Sequence, residues 1–489
     1  MKHGFIITLL LMTTSFSGFS QSIYPALKNT VTSIASSEDF ATGEVGMIAV
    51  DTKTGEVLAE YNPDITLIPA SNTKLFSTAA ALELYGPSYR HTTSLYYIGK
   101  LDNGLLRGNI IIKGGGDPSL GSRFFDGQAD NDYINQFVES VKLAGIRRVE
   151  GDIIADASFF DEDMIPPTWC WGDLGNYYGA VPSGLTVNDN MIELIFNSET
   201  SGKPAVFVNS QPAIPGLKVK SFALSANIEK EQTDVYCAPY STTKIVRGFV
   251  PCDSNNIVVK TIIPDPAVYI ARQLQDSLAA HNIIVFGQAV SAFEGNRYLM
   301  EDQTPVLLCN HQGVSLDKII EKTNTYSVNL FAEHCLALVG LKQIKCSRPS
   351  LAADAEMQFW KKKGLDIKGM SLNDGSGLSR HNTISPRQFA WLLTYMKTKS
   401  SFYAAFNKSL TKCGCSGTMA TMCRGTKAWN NARGKSGSIR RVKAYSGYVT
   451  SQSGRDIAFS IIINNFNGSS NACRAEQEKF IAALAEFNN

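Results

Sequence analysis

The chain has 489 residues, a net charge of +2, and 44% hydrophobic and 18% charged side chains. That balance describes a globular protein with sizeable cores, long enough for about two to four domains, and excludes a disordered chain. Near-neutral charge gives no reason to expect nucleic acid or a strongly acidic partner. The six scattered histidines form no His-Glu-x-x-His or similar cluster, so no zinc is expected.

In chain order, residues 1–20 carry the marks of a secretory leader. Lys2 and His3 form a basic start, Phe5–Met12 an apolar stretch, and Ser17-Gly18-Phe19-Ser20 a small-residue exit before Gln21. The apolar stretch is too short to span a bilayer, and no other segment is long enough, so no membrane span is expected. With Cys170 as the first cysteine, there is no lipid-modified N-terminal cysteine. The mature chain is expected to be exported, soluble and periplasmic.

Glu44–Val50 and Glu56–Tyr61 alternate as strands around Lys53-Thr54-Gly55 and read as a β-hairpin. A helix is expected from about Lys74 to Leu84, stopping before Gly86-Pro87. From Thr92 the chain turns to short strands, including Leu105–Lys113 and Val149–Ala157. Between these, Gly114-Gly115-Gly116-Asp117-Pro118-Ser119 lacks the lysine and helix of a nucleotide loop and reads as a tight turn. Residues 191–252 look like a small all-β unit. Pro266–Leu278 returns to helix, Val285 and Val290 lie in strand-like pieces, and Tyr326–Leu338 is an apolar helical run containing Ser327. The end is a hairpin and a helix, about Cys473–Phe487, whose Phe480, Ile481, Leu484 and Phe487 stripe is expected to pack on a sheet.

Ten cysteines in an exported chain permit disulfides. Cys237 and Cys252 bracket a polar, turn-containing stretch and are the favoured pair, worth roughly 3 kcal/mol in the chain-entropy model. Cys413, Cys415 and Cys423 are too crowded to assign, with Cys346 and Cys473 as further candidates. Cys335, within an apolar helical run, is expected to be a buried free thiol.

Three short motifs carry chemistry. Ser71 and Lys74, three apart at a helix start, put an amine beside a hydroxyl, which is what a serine nucleophile needs when no histidine serves as base. Ser327-Val328-Asn329 and Lys435-Ser436-Gly437 follow in the order of the Ser-x-x-Lys, Ser-x-Asn and Lys-Thr-Gly set of penicillin-interacting serine enzymes. Each alone is weak: Ser-x-x-Lys recurs at Ser241, Ser315 and Ser409, and Lys53-Thr54-Gly55 is a perfect Lys-Thr-Gly. Only the trio at Ser71, Ser327 and Lys435 puts each motif on a fitting element.

Together with Gly114-Gly116-Asp117-Pro118, Gly151-Asp152, Asp156–Asp161, Asp374-Gly375-Ser376-Gly377-Leu378-Ser379 and Ser446-Gly447-Tyr448, the chain resembles the penicillin-binding protein 4 type of D-alanyl-D-alanine carboxypeptidase and endopeptidase from about Val45 onward. The long gap between the first two motifs is itself a mark of that group. Ser436 departs from its threonine but keeps the hydroxyl; the cysteines of 413–423 are a second departure. The resemblance implies an α+β fold: a DD-peptidase/β-lactamase-like domain, an antiparallel sheet flanked by helices, with a large strand-rich insertion of one or two subdomains. The expected division is 21–91 and 266–489 for that domain, 92–190 and 253–265 for the insertion, and 191–252 for a nested β subdomain.

The resemblance also implies roles. Ser71 would attack the penultimate D-alanine carbonyl, with Lys74 as base, its pKa lowered by burial and by the charge of Lys435. Ser327 would relay a proton, and Asn329 would hold the substrate amide and the lysine, both reaching the cleft from a bend. Lys435, Ser436 and Ser438 would bind the peptide's carboxylate, Gly437 would allow close approach of substrate, and the amides of Ser71 and Ser438 would form the oxyanion hole. In Trp169-Cys170-Trp171-Gly172-Asp173, the aromatic pair would wall the cleft and Asp173 would pair with a diamino-acid ammonium. No metal or organic cofactor is implied; the partners are peptidoglycan stem peptides and β-lactams. A β-lactamase or D-amino-acid esterase, and a non-hydrolytic wall-binding scaffold, are the competing readings.

Overall fold

The computed structural model describes residues 24–126, 132–292 and 304–489, so the expected leader lies outside the described residues. Its first layer is a six-stranded antiparallel sheet. The strands run Thr411–Lys412, Arg433–Ile439, Val442–Thr450, Asp456–Asn464, Glu44–Asp51 and Val57–Tyr61 across the sheet. Both ends of the chain meet in it, Glu44 opposite Asn464 and Asp51 opposite Ile457. The strand Asp456–Asn464 is buried on both faces, which explains its nearly unbroken apolar sequence.

One face is covered by the helices Pro25–Ala35 and Ser470–Glu486 through Leu27, Val31, Phe480, Ile481 and Leu484, the expected stripe. The other is covered by Lys74–Tyr85, Asn329–Ile344, Pro349–Lys362 and Pro386–Thr398. The helix Lys74–Tyr85 is apolar nearly all round because it is sandwiched within this layer, with Leu75, Phe76, Ala79 and Leu82 fully buried.

The insertion builds a second sheet on the long antiparallel pair Arg90–Asp102 and Leu105–Lys113, closed on one side by Val306–Ser315. The helix Pro266–Ala280 buries Ile270, Ala271, Leu274 and Leu278 in the same core as Leu95 and Ile110. The boundary expected at 265/266 therefore cuts through this layer, which extends to Ser315. Helical periodicity marks an apolar face without saying which sheet it covers. Within the insertion sit two three-stranded sheets, one of Gln232–Tyr236, Thr243–Pro251 and Lys218–Ala226, the other of Ile257–Ile262, Met191–Asn197 and Val206–Gln211. Ile257–Ile262 thus joins the β unit expected to end at 252.

The expected Cys237–Cys252 disulfide is absent; both are free thiols. The reason is register. Tyr236 lies opposite Ile245 and Gln232 opposite Phe249, so Cys237 sits at one end of the ladder and Cys252 runs off the other. Buried Cys237 instead accepts from Lys244 Nζ at 3.2 Å, while Cys252 Sγ donates to Asn227 Oδ1 at 3.1 Å. Cys335 is a buried free thiol, as expected. Peptide mapping without reduction should find no Cys237–Cys252 linkage; recovering that linkage would contradict this register.

Candidate active site

The turn bearing Ser71 is held in a strained shape. Pro69 leads into Ala70 at φ +46°, a left-handed conformation that L-residues other than Asn and Asp adopt rarely, and a short 3-10 turn Ala70–Thr73 runs into the helix Lys74–Tyr85. Two glycines make room for it. A Cβ on Gly377 would lie 1.9 Å from Ala70 O, and one on Gly437 would lie 2.4 Å from Pro69 O and 3.2 Å from Ser71 N. Gly437 therefore lets its own strand approach the turn that bears Ser71. Beneath, Asn72 Nδ2 donates to Ser446 Oγ at 2.9 Å.

Lys74 is fully buried, and its Nζ donates to Ser71 Oγ at 3.0 Å, Asn329 Oδ1 at 2.7 Å and Ser376 O at 2.6 Å. All three acceptors are neutral. Burial pushes the amine down to about 7, against the opposing pull of the Asp374 and Glu333 carboxylates. Repulsion between the Lys74 and Lys435 amines is second to burial. Lys435, also fully buried, is held well below the ordinary lysine range, by burial first and by the Lys74 charge second.

Lys435 Nζ donates to Ser327 Oγ at 2.9 Å and to Ser436 O at 2.7 Å from the strand Arg433–Ile439. Ser327 does not lie inside a helix. The helix Leu316–Tyr326 ends at Ser327, whose φ of +60° turns the chain before the helix Asn329–Ile344 begins. That break lets Ser327 reach Lys435 while Asn329 reaches Lys74, the bend that the motif's spacing implies. Ser71, Lys74, Ser327, Asn329 and Lys435 thus form two linked groups in one site. Ser436 is partly exposed and Ser438 exposed on the same strand.

The insertion reaches into this site. Tyr178 O accepts from Asn329 Nδ2 at 2.9 Å, and Thr168 Oγ1 meets Ser379 Oγ at 2.7 Å. Of the expected aromatic pair, Trp169 is buried and donates to Asp374 Oδ2 at 2.8 Å, so it anchors the insertion instead of lining a cleft, while Trp171 is 54% exposed. Asp173 lies on the short helix Trp171–Leu174, half-buried, 3.4 Å from Tyr178 OH; burial raises its carboxyl above the usual range. The site atoms gathered around Lys74 do not include it.

Glu333 is missed by motif reasoning. Fully within the core, its two carboxylate oxygens accept Gly375 N at 3.0 Å and Ser376 N at 2.8 Å, which aims Ser376 O at Lys74. Asp374 braces the same loop, accepting from Gly377 N and Ser379 N. Burial and the Asp374 charge push Glu333 up to about 8. The signal was available: Glu333 is the acidic residue inside the apolar run Asn329-Leu330-Phe331-Ala332-Glu333, and a buried carboxylate needs partners.

Residues 27–487 match the D-Ala-D-Ala carboxypeptidase 3 (S13) family. The chain belongs to that family. Its activity class is therefore that of a serine-type D-Ala-D-Ala carboxypeptidase. The D-alanyl-D-alanine carboxypeptidase of Actinomadura sp. (strain R39) is 28% identical over 455 residues, 90% of this chain and 81% of that one. D-alanyl-D-alanine carboxypeptidase DacB of Haemophilus influenzae is 26% identical over 437 residues, 86% of each chain. The crystal structure of penicillin binding protein 4 (dacB) from H. influenzae shares the fold, with a TM-score of 0.76 at 24% identity over 93% of this chain and 98% of that one. A further crystal structure of that H. influenzae protein is a complex with a β-lactam.

In this carboxypeptidase, Glu333→Gln replaces one acceptor by an NH2 group facing a backbone N–H. A buried donor left unpaired costs about 1–3 kcal/mol, so acylation by a β-lactam should slow by roughly 10- to 100-fold if the loop shifts from Lys74. Stopped-flow acylation checks this; an unchanged rate in a folded variant would remove Glu333 from the site's support.

Proposed function

We propose that Ser71 Oγ attacks the carbonyl of the penultimate D-alanine of a peptidoglycan stem peptide while Lys74 Nζ takes its proton. The observation that carries this reading is the buried amine 3.0 Å from the hydroxyl, surrounded by neutral acceptors. A carboxylate partner would hold the amine charged; these contacts leave it near 7, so its unprotonated form is accessible at neutral pH. Attack forms the Ser71 ester and releases D-alanine, whose nitrogen receives a proton through Ser327. Water then cleaves the ester, with Lys74 again as base, and regenerates Ser71.

Lys435 binds the terminal carboxylate, aided by the Ser436 and Ser438 hydroxyls. An anion at Nζ also restores the charge that burial disfavours, so Lys435 favours carboxylate-bearing substrates and β-lactams. The amides of Ser71 and Ser438 stabilise the oxyanion. Asn329 contributes its amide to the substrate by giving up Tyr178 O. Asp173 pairs with the ammonium of a diamino acid, which extends the activity from the terminal D-Ala-D-Ala bond to the D-Ala to diamino-acid crosslink. The leader at 1–20 sends the chain to the periplasm, where this substrate lies.

Purified enzyme incubated with crosslinked muropeptides should yield both free D-alanine and uncrosslinked products by mass spectrometry. Release of neither would contradict the proposal, and D-alanine alone would remove the endopeptidase half. Ser71→Ala should abolish covalent β-lactam labelling; persistent labelling of that variant would reassign the nucleophile.

A further inference from the structure

The nested sheet of Gln232–Tyr236, Thr243–Pro251 and Lys218–Ala226 has one face in the core and one in solvent. Ala223, Ser225, Val246 and Val250 point inward. The opposite face, where alternation calls for polar residues, carries Phe222, Leu224 and Phe249, 56%, 39% and 48% exposed. The register packs them together: Phe249 lies opposite Leu224, and Arg247 opposite Phe222, with its guanidinium 4.8 Å from the ring. An exposed, contiguous apolar patch of this kind marks an interaction surface.

The patch belongs to a sheet mounted on the segment that reaches the catalytic site, where Tyr178 O accepts from Asn329 Nδ2. Gln232–Tyr236 is the sheet's edge strand, and its free edge is seated on the insertion segment that carries Asp173. Val235 N donates to Asn176 Oδ1 at 3.1 Å, and Gly175 packs so closely that a Cβ there would lie 2.0 Å from Val235 O. On the solvent face of that strand, Asp234 lies opposite Arg247, and Tyr236 meets the exposed Trp171 at 6.4 Å between rings. Asp234 is near enough to Asp173 and Tyr178 to act on both electrostatically. Trp171 and Tyr236 therefore lie at one end of the edge strand, on the same sheet face as Phe222 and Phe249.

We propose that this face docks the glycan strand of the cell wall, a polymer of N-acetylated pyranose units, while its stem peptide enters the cleft. The proposal rests on the peptidoglycan reading above. Pyranose rings present apolar C–H faces that lie flat on aromatic rings and hydroxyl and acetamido edges that pair with groups such as Arg247 and Asp234. Attachment decides between occupants: the sheet is carried by the segment whose Tyr178 reaches Asn329, and the polymer that bears the peptide is the ligand brought beside that site. Binding there raises the effective concentration of stem peptides at Ser71 without touching the reacting atoms.

The test uses the full chain and glycan strands stripped of their peptides. Wild type should bind these strands, and Phe222→Ser/Phe249→Ser should bind them at least roughly tenfold more weakly, since two exposed aromatic contacts of about 0.5–1.5 kcal/mol each are lost. The variant's β-lactam acylation rate should be unchanged. Equal binding by both proteins, or none by wild type, overturns the proposal. So does variant-sensitive binding to anionic phospholipid vesicles in place of glycan, or a change in sedimentation showing that the face joins two copies. Hydrolysis of a soluble stem pentapeptide is run in parallel: wild type that cleaves it yet ignores glycan sinks only the docking face, whereas wild type that fails to cleave it sinks the functional reading.

Discussion

A lysine amine taken out of water and given only uncharged acceptors is the constraint on which this site depends. An ammonium is costly to bury, and the neutral amine is not. The fold exploits that difference. Lys74 sits on the first turn of a helix sandwiched inside the catalytic layer, and its partners are a hydroxyl, a side-chain amide and a backbone carbonyl. Proximity to Ser71 alone would leave a charged lysine beside an inert hydroxyl. In the proposed mechanism, burial makes the pair reactive.

The surrounding architecture keeps that arrangement from relaxing. Gly377 and Gly437 let a loop and a strand close on the left-handed turn at Ala70 from two sides. Glu333 and Asp374 fix the loop whose carbonyl touches Lys74, and Trp169 ties the insertion to Asp374. The insertion is thus a structural part of the site, reaching the Ser-x-Asn asparagine through Tyr178 O. It touches the surroundings of Lys74 at two residues, Asp374 and Asn329.

Much of this was legible from residue order alone, because local patterns report local structure. The hairpin around Lys53-Thr54-Gly55, the helix start at Lys74 and the strand Leu105–Lys113 agree with the structure, each marked by alternation or by Gly-Pro punctuation. The three motifs were legible because each combines a chemistry with an element type. Non-local facts were not. The side of the domain boundary on which Pro266–Ala280 falls depends on which sheet it covers, and Cys237 and Cys252 were paired by a loop that is a hairpin in the wrong register. The contact of Gly437 with the Ser71 turn was not legible, because that turn lies more than three hundred positions away in the chain. Glu333 showed itself only as a charge in an apolar run, a sign that something must satisfy it without saying what.

Titration of the Lys74 ε-amine itself tests the account most directly. Carbon-observed NMR of the selectively labelled lysine, assigned by its loss in a Lys74→Arg variant, reads the protonation midpoint in the free enzyme. The account predicts a midpoint of about 7. A midpoint near the ordinary lysine value of about 10.4 would contradict it, because an ammonium at neutral pH cannot accept the Ser71 proton.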